Sequence, residues 1–369
     1  MAPQPVVAFT DTYLPTVNGV TYAVKTWRDS WRDRGGRMDV VYPDAGGHDP
    51  GPGEHAVRSL PFPFYDGFRL GLPRVPGAVR DGAAVVHAHT PFSLGLAALR
   101  LGRRADLPVV ASYHTPTGEY ADYLADREWT EEAIAGVSRR YERWFFRRVD
   151  AVLAPSEATR RHLLESVGTD ARVEVVPSGV DTDRFRPVDP GAFCRRHGLE
   201  DATTLVGYTG RHGYEKRLRD AVDAAAGLDA TLVFGGDGPA RAELAARAAD
   251  RGVDARFLGF LDRTELPAFY SALDAFLFPS PVETQGIVAL EANACGTPVV
   301  AADEGALADT VLDGETGYHF ETGDPESMRE AARRTLADRA RLHEGCLDRR
   351  PAVDVERSVD DLAALYRSL

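Results

Sequence analysis

The sequence predicts an α/β protein built from two doubly wound domains in tandem. Short apolar runs alternate with helix-length amphipathic segments, the pattern of repeated βα units around parallel sheets. A length of 369 residues suits two cores rather than one. The alternation breaks once, in a stretch of Pro, Gly and Asp over 177–190, and then resumes.

In the first half, apolar runs predict strands at 6–10, 38–42, 83–87, 108–113, 151–154 and 173–176. Helical periodicity predicts helices at 19–34, 93–103, 131–149 and 157–167. The weak periodicity of 177–190 reads as an interdomain linker. The second series has strands at 204–209, 230–234, 255–258, 275–278 and 298–301. Its helices fall near 217–226, 239–251, 265–271, 286–294 and 325–338. Val355, Val359, Leu362, Leu365 and Tyr366 recur at helical spacing, which predicts a C-terminal helix packed on a domain surface. The expected division is a first domain over 1–180, a second over 181–354, and a helix over 355–369 that returns to the first. Doubly wound sheets bind ligands at the carboxyl ends of their strands, so the chemistry is expected on strand-end loops and between the two domains.

Composition narrows the function. Hydrophobic residues make up 44% and charged residues 27%, the balance of a globular chain. The net charge of -13 argues against a nucleic-acid partner, which needs a basic surface. Of the 43 basic residues only Lys25 and Lys216 are lysine. A GC-rich genome accounts for the arginine bias; the acidic excess fits either a high-salt cytoplasm or plain solubility. Cys194, Cys295 and Cys346 lie far apart without a C-x-x-C, as in a reducing compartment. No apolar run is long enough to span a membrane, and the first residues lack a basic leader pattern, so a cytoplasmic location is expected.

Four segments carry candidate chemistry. In Pro279–Ala292, a strand ends in prolines, Glu283 stands before a helix and Glu291 lies within it. Eight helical steps span about 12 Å, near the separation of a hexose and a ribose on one nucleotide sugar. The amides of Thr284, Gln285, Gly286 and Ile287 point at whatever lies before the helix, where the dipole favours an anion. The alternative is a capping glutamate and a surface glutamate on an ordinary helix. In Gly210-Arg211-His212-Gly213-Tyr214-Glu215-Lys216, Arg211 offers a planar fork and Lys216 a point charge, both suited to phosphate oxygens; surface cations near a helix start are the alternative. In Phe9–Val20, Gly19 opens a helix after a strand-end loop and lets backbone approach a phosphate closely. That loop has no G-x-G-x-x-G, against a dinucleotide site. Ser112-Tyr113-His114-Thr115 ends a strand, with Glu119, Tyr120 and Tyr123 beyond. There His114 serves either a sugar hydroxyl or the core.

Together Gly210-Arg211…Glu215-Lys216, Glu283-x7-Glu291, Asn18-Gly19-Val20, Tyr113-His114-Thr115 and Pro177-Ser178-Gly179-Val180-Asp181 resemble the retaining glycosyltransferases of family four. The likeness runs in order from about residue 6 to 323. It implies the GT-B fold, two Rossmann-like domains facing a cleft, and transfer of a hexose from a nucleotide diphosphate sugar. It also implies no metal and no cofactor. Under the resemblance, Gly19 gives its amide to the donor phosphate, and Arg211 and Lys216 hold the diphosphate. Glu283 contacts the hexose, among the amides of Thr284, Gln285, Gly286 and Ile287. Glu291 holds the ribose, Leu261 lies near the base, and His114 sits beside the sugar on the acceptor side. Arg211, Lys216, Glu283 and His114 are then the catalytic set. Thr284-Gln285 stands where many members carry Thr/Ser-Phe, which blurs donor identity.

Other segments resolve differently. Asp181-Thr182-Asp183 matches a D-x-D metal motif but follows a linker proline, so no metal is assigned to it. Gly235-Gly236-Asp237-Gly238-Pro239 reads as a turn near the donor site. Leu60–Tyr65 with Arg58, Arg69 and Arg74, and the five arginines around Trp144 in 138–148, suit either an anionic membrane and a lipid-linked acceptor, at the inner membrane face, or packing within a domain. The rival readings are a nucleotide-sugar epimerase, which would form product without acceptor, and a non-catalytic nucleotide-sugar-binding subunit, which would bind donor without transfer or hydrolysis.

Overall fold

The computed structural model describes residues 3–62, 69–114 and 128–369, with side chains over the same ranges except 128–135. The chain forms two compact units, 1–178 together with 355–369, and 179–354.

The first unit is a seven-stranded parallel sheet with a short hairpin. Its strands are β1 (Val6–Phe9), β2 (Met38–Pro43), β3 (Glu54–Val57), β6 (Val85–Ala88), β7 (Val109–Ser112), β8 (Ala151–Ala154) and β9 (Val173–Val175), with β4 (Ser59–Pro61) and β5 (Arg69–Gly71) forming the hairpin. The sheet order is β3-β2-β1-β6-β7-β8-β9. Helices α1 (Gly19–Asp33), α2 (Ser93–Ala105), α3 (Glu128–Phe146) and α4 (Glu157–His162) connect them. Side chains alternate across β1: Val7 and Phe9 join Leu94, Ala98, Leu101, Phe145 and Phe146 on one face, and Val6 joins Trp27 and Trp31 on the other. Burial of such aromatics contributes about 1.5–3 kcal/mol each before entropy is counted.

The second unit is a six-stranded parallel sheet, ordered β12-β11-β10-β13-β14-β15. Its strands are β10 (Leu205–Thr209), β11 (Thr231–Gly235), β12 (Ala255–Gly259), β13 (Ala275–Phe278), β14 (Val299–Ala302) and β15 (Gly317–Phe320). Around it lie α5 (Gly191–His197), α6 (Leu218–Ala225), α7 (Arg241–Arg251), α8 (Leu266–Ala272), α9 (Ile287–Ala294), α10 (Gly305–Thr310), α11 (Pro325–Ala337), α12 (Arg339–Asp348) and α13 (Arg350–Val353). The last helix, α14 (Val355–Arg367), packs Val359, Leu362 and Tyr366 into the first unit's core beside Trp31.

The structure departs from the sequence reading in several places, among them the β4–β5 hairpin and helices α5, α10, α12 and α13, none of which was anticipated. The edge strands β3 and β15 were not anticipated, because neither Glu54–Val57 nor Gly317–Phe320 is a continuous apolar run. The chain passes from one unit to the other inside 177–190, between Ser178 and Gly179, but the segment is packed: Val180 and Phe185 are buried in the second unit's core, and Val180 N donates to Val353 O at 2.9 Å. Its Pro, Gly and Asp residues signal turns, but Val180 and Phe185 anchor it. Helix α9 begins only at Ile287, after Gly286 at φ 76°, so half of the interval from Glu283 to Glu291 is loop and the 12 Å helical span does not apply.

Candidate active site

In the second unit the chain runs from β10 toward β11 on one side and returns through β13 on the other. The loops after β10 and β13 therefore emerge side by side, at the point where a doubly wound sheet opens a crevice. The first loop carries Gly210–Lys216, and the second carries Pro279–Gly286. They meet through Lys216 Nζ, which donates to Glu283 Oε1 at 2.8 Å. Both side chains keep a little under a fifth of their surface open, 19% and 18%. Arg211 is exposed, and its Nη1 lies 3.7 Å from Glu215 Oε1.

The glycines of this region have backbone reasons. Gly236, at φ 102°, sits so close to Gly210 that a methyl group there would overlap the Gly210 carbonyl. Gly210 N donates to Gly235 O at 3.1 Å, and His212 N to Asp237 O at 2.9 Å. The Gly235–Gly238 turn thus buttresses the Arg211 loop from behind. Gly286 adopts a left-handed conformation, and a methyl there would come within 2.5 Å of Leu307 Cδ2. Thr310 Oγ1 donates to Gln285 O at 2.6 Å, tying the second loop down.

Glu291, in the second turn of α9, is 2% exposed. Arg263 Nη1 lies 3.0 Å from its Oε1, and Tyr270 OH donates to its Oε2 at 3.0 Å. Burial still raises its pKa, against the pull of Arg263. The Arg263 guanidinium also lies over the Phe185 ring, 4.9 Å from its centroid. Leu261, two residues before, is buried against Gly235.

In the first unit Gly19 opens α1. Asn18 caps the helix, its Oδ1 accepting from Thr21 N at 2.9 Å, while its Nδ2 donates to Thr12 Oγ1 at 2.8 Å. Gly19 is exposed, and a methyl there would meet nothing within 4 Å. His114 follows β7, and its Nε2 is 3.0 Å from His89 Nδ1. Burial lowers its pKa to about 4.

Two family descriptions match the chain in order: Glycosyltransferase Family 4 over residues 17–184 and Glycosyl transferases group 1 over 193–346. A GDP-mannose-dependent alpha-mannosyltransferase of Mycolicibacterium smegmatis is 31% identical over 342 residues, 90% of this chain and 88% of that one. The chain belongs to the family four glycosyltransferases. Sulfoquinovosyl transferase SQD2 of Arabidopsis thaliana is 32% identical over 293 residues, 76% of this chain. The match spans only 56% of the plant protein, so some curated relatives are nearly twice as long as the region they share with it. HepE of Anabaena, solved with UDP and glucose, superposes with a TM-score of 0.79 at 20% identity, covering 99% of this chain and 100% of that one. The fold is the GT-B fold that the motifs led us to expect.

In this family four member, the structure brings Lys216 and Glu283 into contact and sets Arg211 on the same loop as Lys216. Thr284, Gln285, Gly286 and Ile287 line the run into α9, with Gln285 and Gly286 buried and Thr284 and Ile287 half-buried. Glu291 is not the surface glutamate of the alternative reading; it is buried and held from both sides, by Arg263 and Tyr270. Gly19 and His114 lie in the other unit. Thr115, Glu119, Tyr120 and Tyr123 lie outside the described residues. Sequence reasoning missed Arg263, Tyr270 and His89. Arg263 stands two residues after Leu261 and could have been flagged by that neighbourhood. Tyr270 gives no local signal, because only the packing of α8 on α9 brings it to Glu291.

Proposed function

We propose that this glycosyltransferase moves a hexose from a nucleotide diphosphate sugar, of the UDP-glucose or GDP-mannose type, to an acceptor with retention of configuration and without a metal ion. The Lys216–Glu283 contact at the crevice of the second unit carries this reading. It joins a cation suited to a diphosphate and a carboxylate suited to sugar hydroxyls, on two loops that one ligand can touch. The donor named for the mannosyltransferase and the UDP and glucose of HepE support this ligand class.

The chemistry follows from charge. As the bond from the sugar C1 to the diphosphate oxygen breaks, its electron pair moves to that oxygen. Lys216, Arg211 and the amides leading into α9 stabilise the growing negative charge more than they stabilise the bound donor. The acceptor oxygen bonds to C1 from the face that the diphosphate leaves, and its proton passes to the departing phosphate oxygen. Glu283 accepts hydrogen bonds from the hexose, Glu291 from the ribose, and Leu261 lies against the base. Gly19 has no internal steric reason to be glycine, which supports close approach of a phosphate to its amide. His114 acts on the acceptor side.

The acceptor in this reading is a lipid or lipid-linked glycan, met at the cytoplasmic face of a membrane. Trp144 is 40% exposed and is ringed by Arg140, Arg143, Arg147 and Arg148, with Arg148 stacked 4.2 Å over its ring. A basic, aromatic patch on a chain of net charge -13 suits anionic lipid. Leu60 is also exposed, whereas Pro63, Phe64 and Tyr65 lie outside the described residues.

A thermal-shift screen against UDP, GDP and ADP sugars tests the donor, since a ligand of the folded state raises the melting temperature. NMR of the product, with and without EDTA, then tests stereochemistry and metal dependence. No stabilisation by any nucleotide sugar, an inverted anomer, or activity abolished by EDTA would each remove part of the proposal. Co-sedimentation with anionic and neutral vesicles tests the patch, with binding only to the anionic ones expected.

A further inference from the structure

Three histidines, His87 and His89 buried and His114 half-buried, form a ladder at the carboxyl ends of β6 and β7. His87 and His89 stack with centroids 4.0 Å apart, and His89 and His114 with centroids 5.3 Å apart. Trp27 packs beside all three, at 5.8–6.4 Å. His87 is satisfied at both nitrogens, with Tyr366 OH 2.6 Å from Nδ1 and Ser112 Oγ 2.8 Å from Nε2. His89 is not. Its Nδ1 faces His114 Nε2 at 3.0 Å, while its Nε2 is buried with no hydrogen-bond partner among the described residues.

That asymmetry decides where the protons sit. A neutral imidazole has one N–H and one bare nitrogen. If His114 donated to His89, His89 would have to carry its own proton on Nε2, as an unpaired buried N–H. If His89 donates from Nδ1, its Nε2 is only a bare lone pair. Orphaned buried donors are the rarer and costlier case. Burial keeps the ladder neutral, lowering His87 to about 3 and His114 to about 4.

We infer that His89 is a positioning residue that donates from Nδ1 to His114 and holds His114 in its Nδ1–H form, a neutral hydrogen-bond donor rather than a base. The acceptor proton then has to go elsewhere, as it does when the departing phosphate takes it. This consequence rests on the proposed role of His114; the tautomer itself does not.

The test is long-range ¹⁵N–¹H NMR of the full chain with labelled histidine at pH 7, with the His114 signals assigned by their loss in His114→Gln. The Nδ1–H form should exceed the other by about tenfold or more, the reverse of free imidazole in water. His89→Asn, whose amide can donate from the Nδ1 position, should keep that preference, and His89→Leu should lose it. Turnover should fall about tenfold or more in His89→Leu and recover in His89→Asn. A dominant Nε2–H form of His114 in the natural chain, or an Nδ1–H preference that survives in His89→Leu, overturns the inference. If His89→Leu does not fold, the natural chain's spectrum decides. Normal turnover of His114→Gln beside an Nδ1–H spectrum would sink the catalytic role of His114 and leave the tautomer standing.

Discussion

Acid should unfold the first unit steeply, and His89→Leu should blunt the effect. His87 and His89 are buried and His114 is half-buried, all three as neutral rings with pKa values lowered by desolvation, to about 3 for His87 and about 4 for His114. In the unfolded chain each titrates near 6.5. Between those limits the unfolded state binds more protons, so stability is complete above about pH 6.5 and falls as the pH drops toward 4. Well inside that window each such histidine costs about 1.4 kcal/mol per pH unit, and three cost about 4 kcal/mol. A domain is stable by only about 5–15 kcal/mol, so a descent to pH 5 consumes a large part of it. All four tryptophans (Trp27, Trp31, Trp129 and Trp144) lie in this unit, so their fluorescence reports its unfolding separately from the other. Urea midpoints at half-unit steps from pH 7.5 to 5 give the slope. His89→Leu should reduce it by about 1.4 kcal/mol per pH unit whatever its stability at neutral pH. Equal slopes in the two proteins would mean that His89 does not stay neutral in the folded chain.

Lys216→Ala should lower kcat by about 10²–10³, as when one donor to a developing oxyanion is lost, with the melting temperature little changed; near-normal turnover in a donor-release assay would remove Lys216 from the mechanism. Arg263→Ala strips the buried Glu291 carboxylate of its cation and should destabilise the second unit by about 3–5 kcal/mol. Because the Glu291 pKa is raised in the folded state, this variant should regain stability as the pH falls toward 5, the opposite of the histidine effect, and thermal melts across that range would show it. Gly236→Ala places a methyl against the Gly210 carbonyl at a φ of 102° and should cost about 1–3 kcal/mol. It should also weaken nucleotide binding by disturbing the Arg211 loop, and calorimetric titration with UDP or GDP measures that part directly.

The βα alternation was legible because it is local. A strand such as Ala275–Phe278 is a short, wholly apolar run, and α1 shows its apolar stripe at Trp27 and Trp31. Motifs at strand ends could be named for the same reason: Gly210–Lys216 follows one such run, and Pro279–Gly286 follows another. Segments whose identity depends on partners were not legible. Glu54–Val57 is a strand because β2 lies beside it, and Phe185 turns an apparent linker into core. The start of α9 depends on a left-handed Gly286, and Leu307 from another helix leaves no room for a side chain at that position.

From the residues alone came the fold class, the family and the cations and carboxylates to which we assign its chemistry, because periodicity and short motifs are written in neighbouring positions. Only the tertiary structure decided which of those groups meet. Lys216 reaches Glu283 across 67 residues because β10 lies next to β13. Glu291 is clasped by Arg263 and Tyr270, and His114 is aligned by His89, through packing between elements distant in sequence. Strand order and buried hydrogen-bond partners are set by how whole elements pack, and no local pattern of side chains encodes that choice.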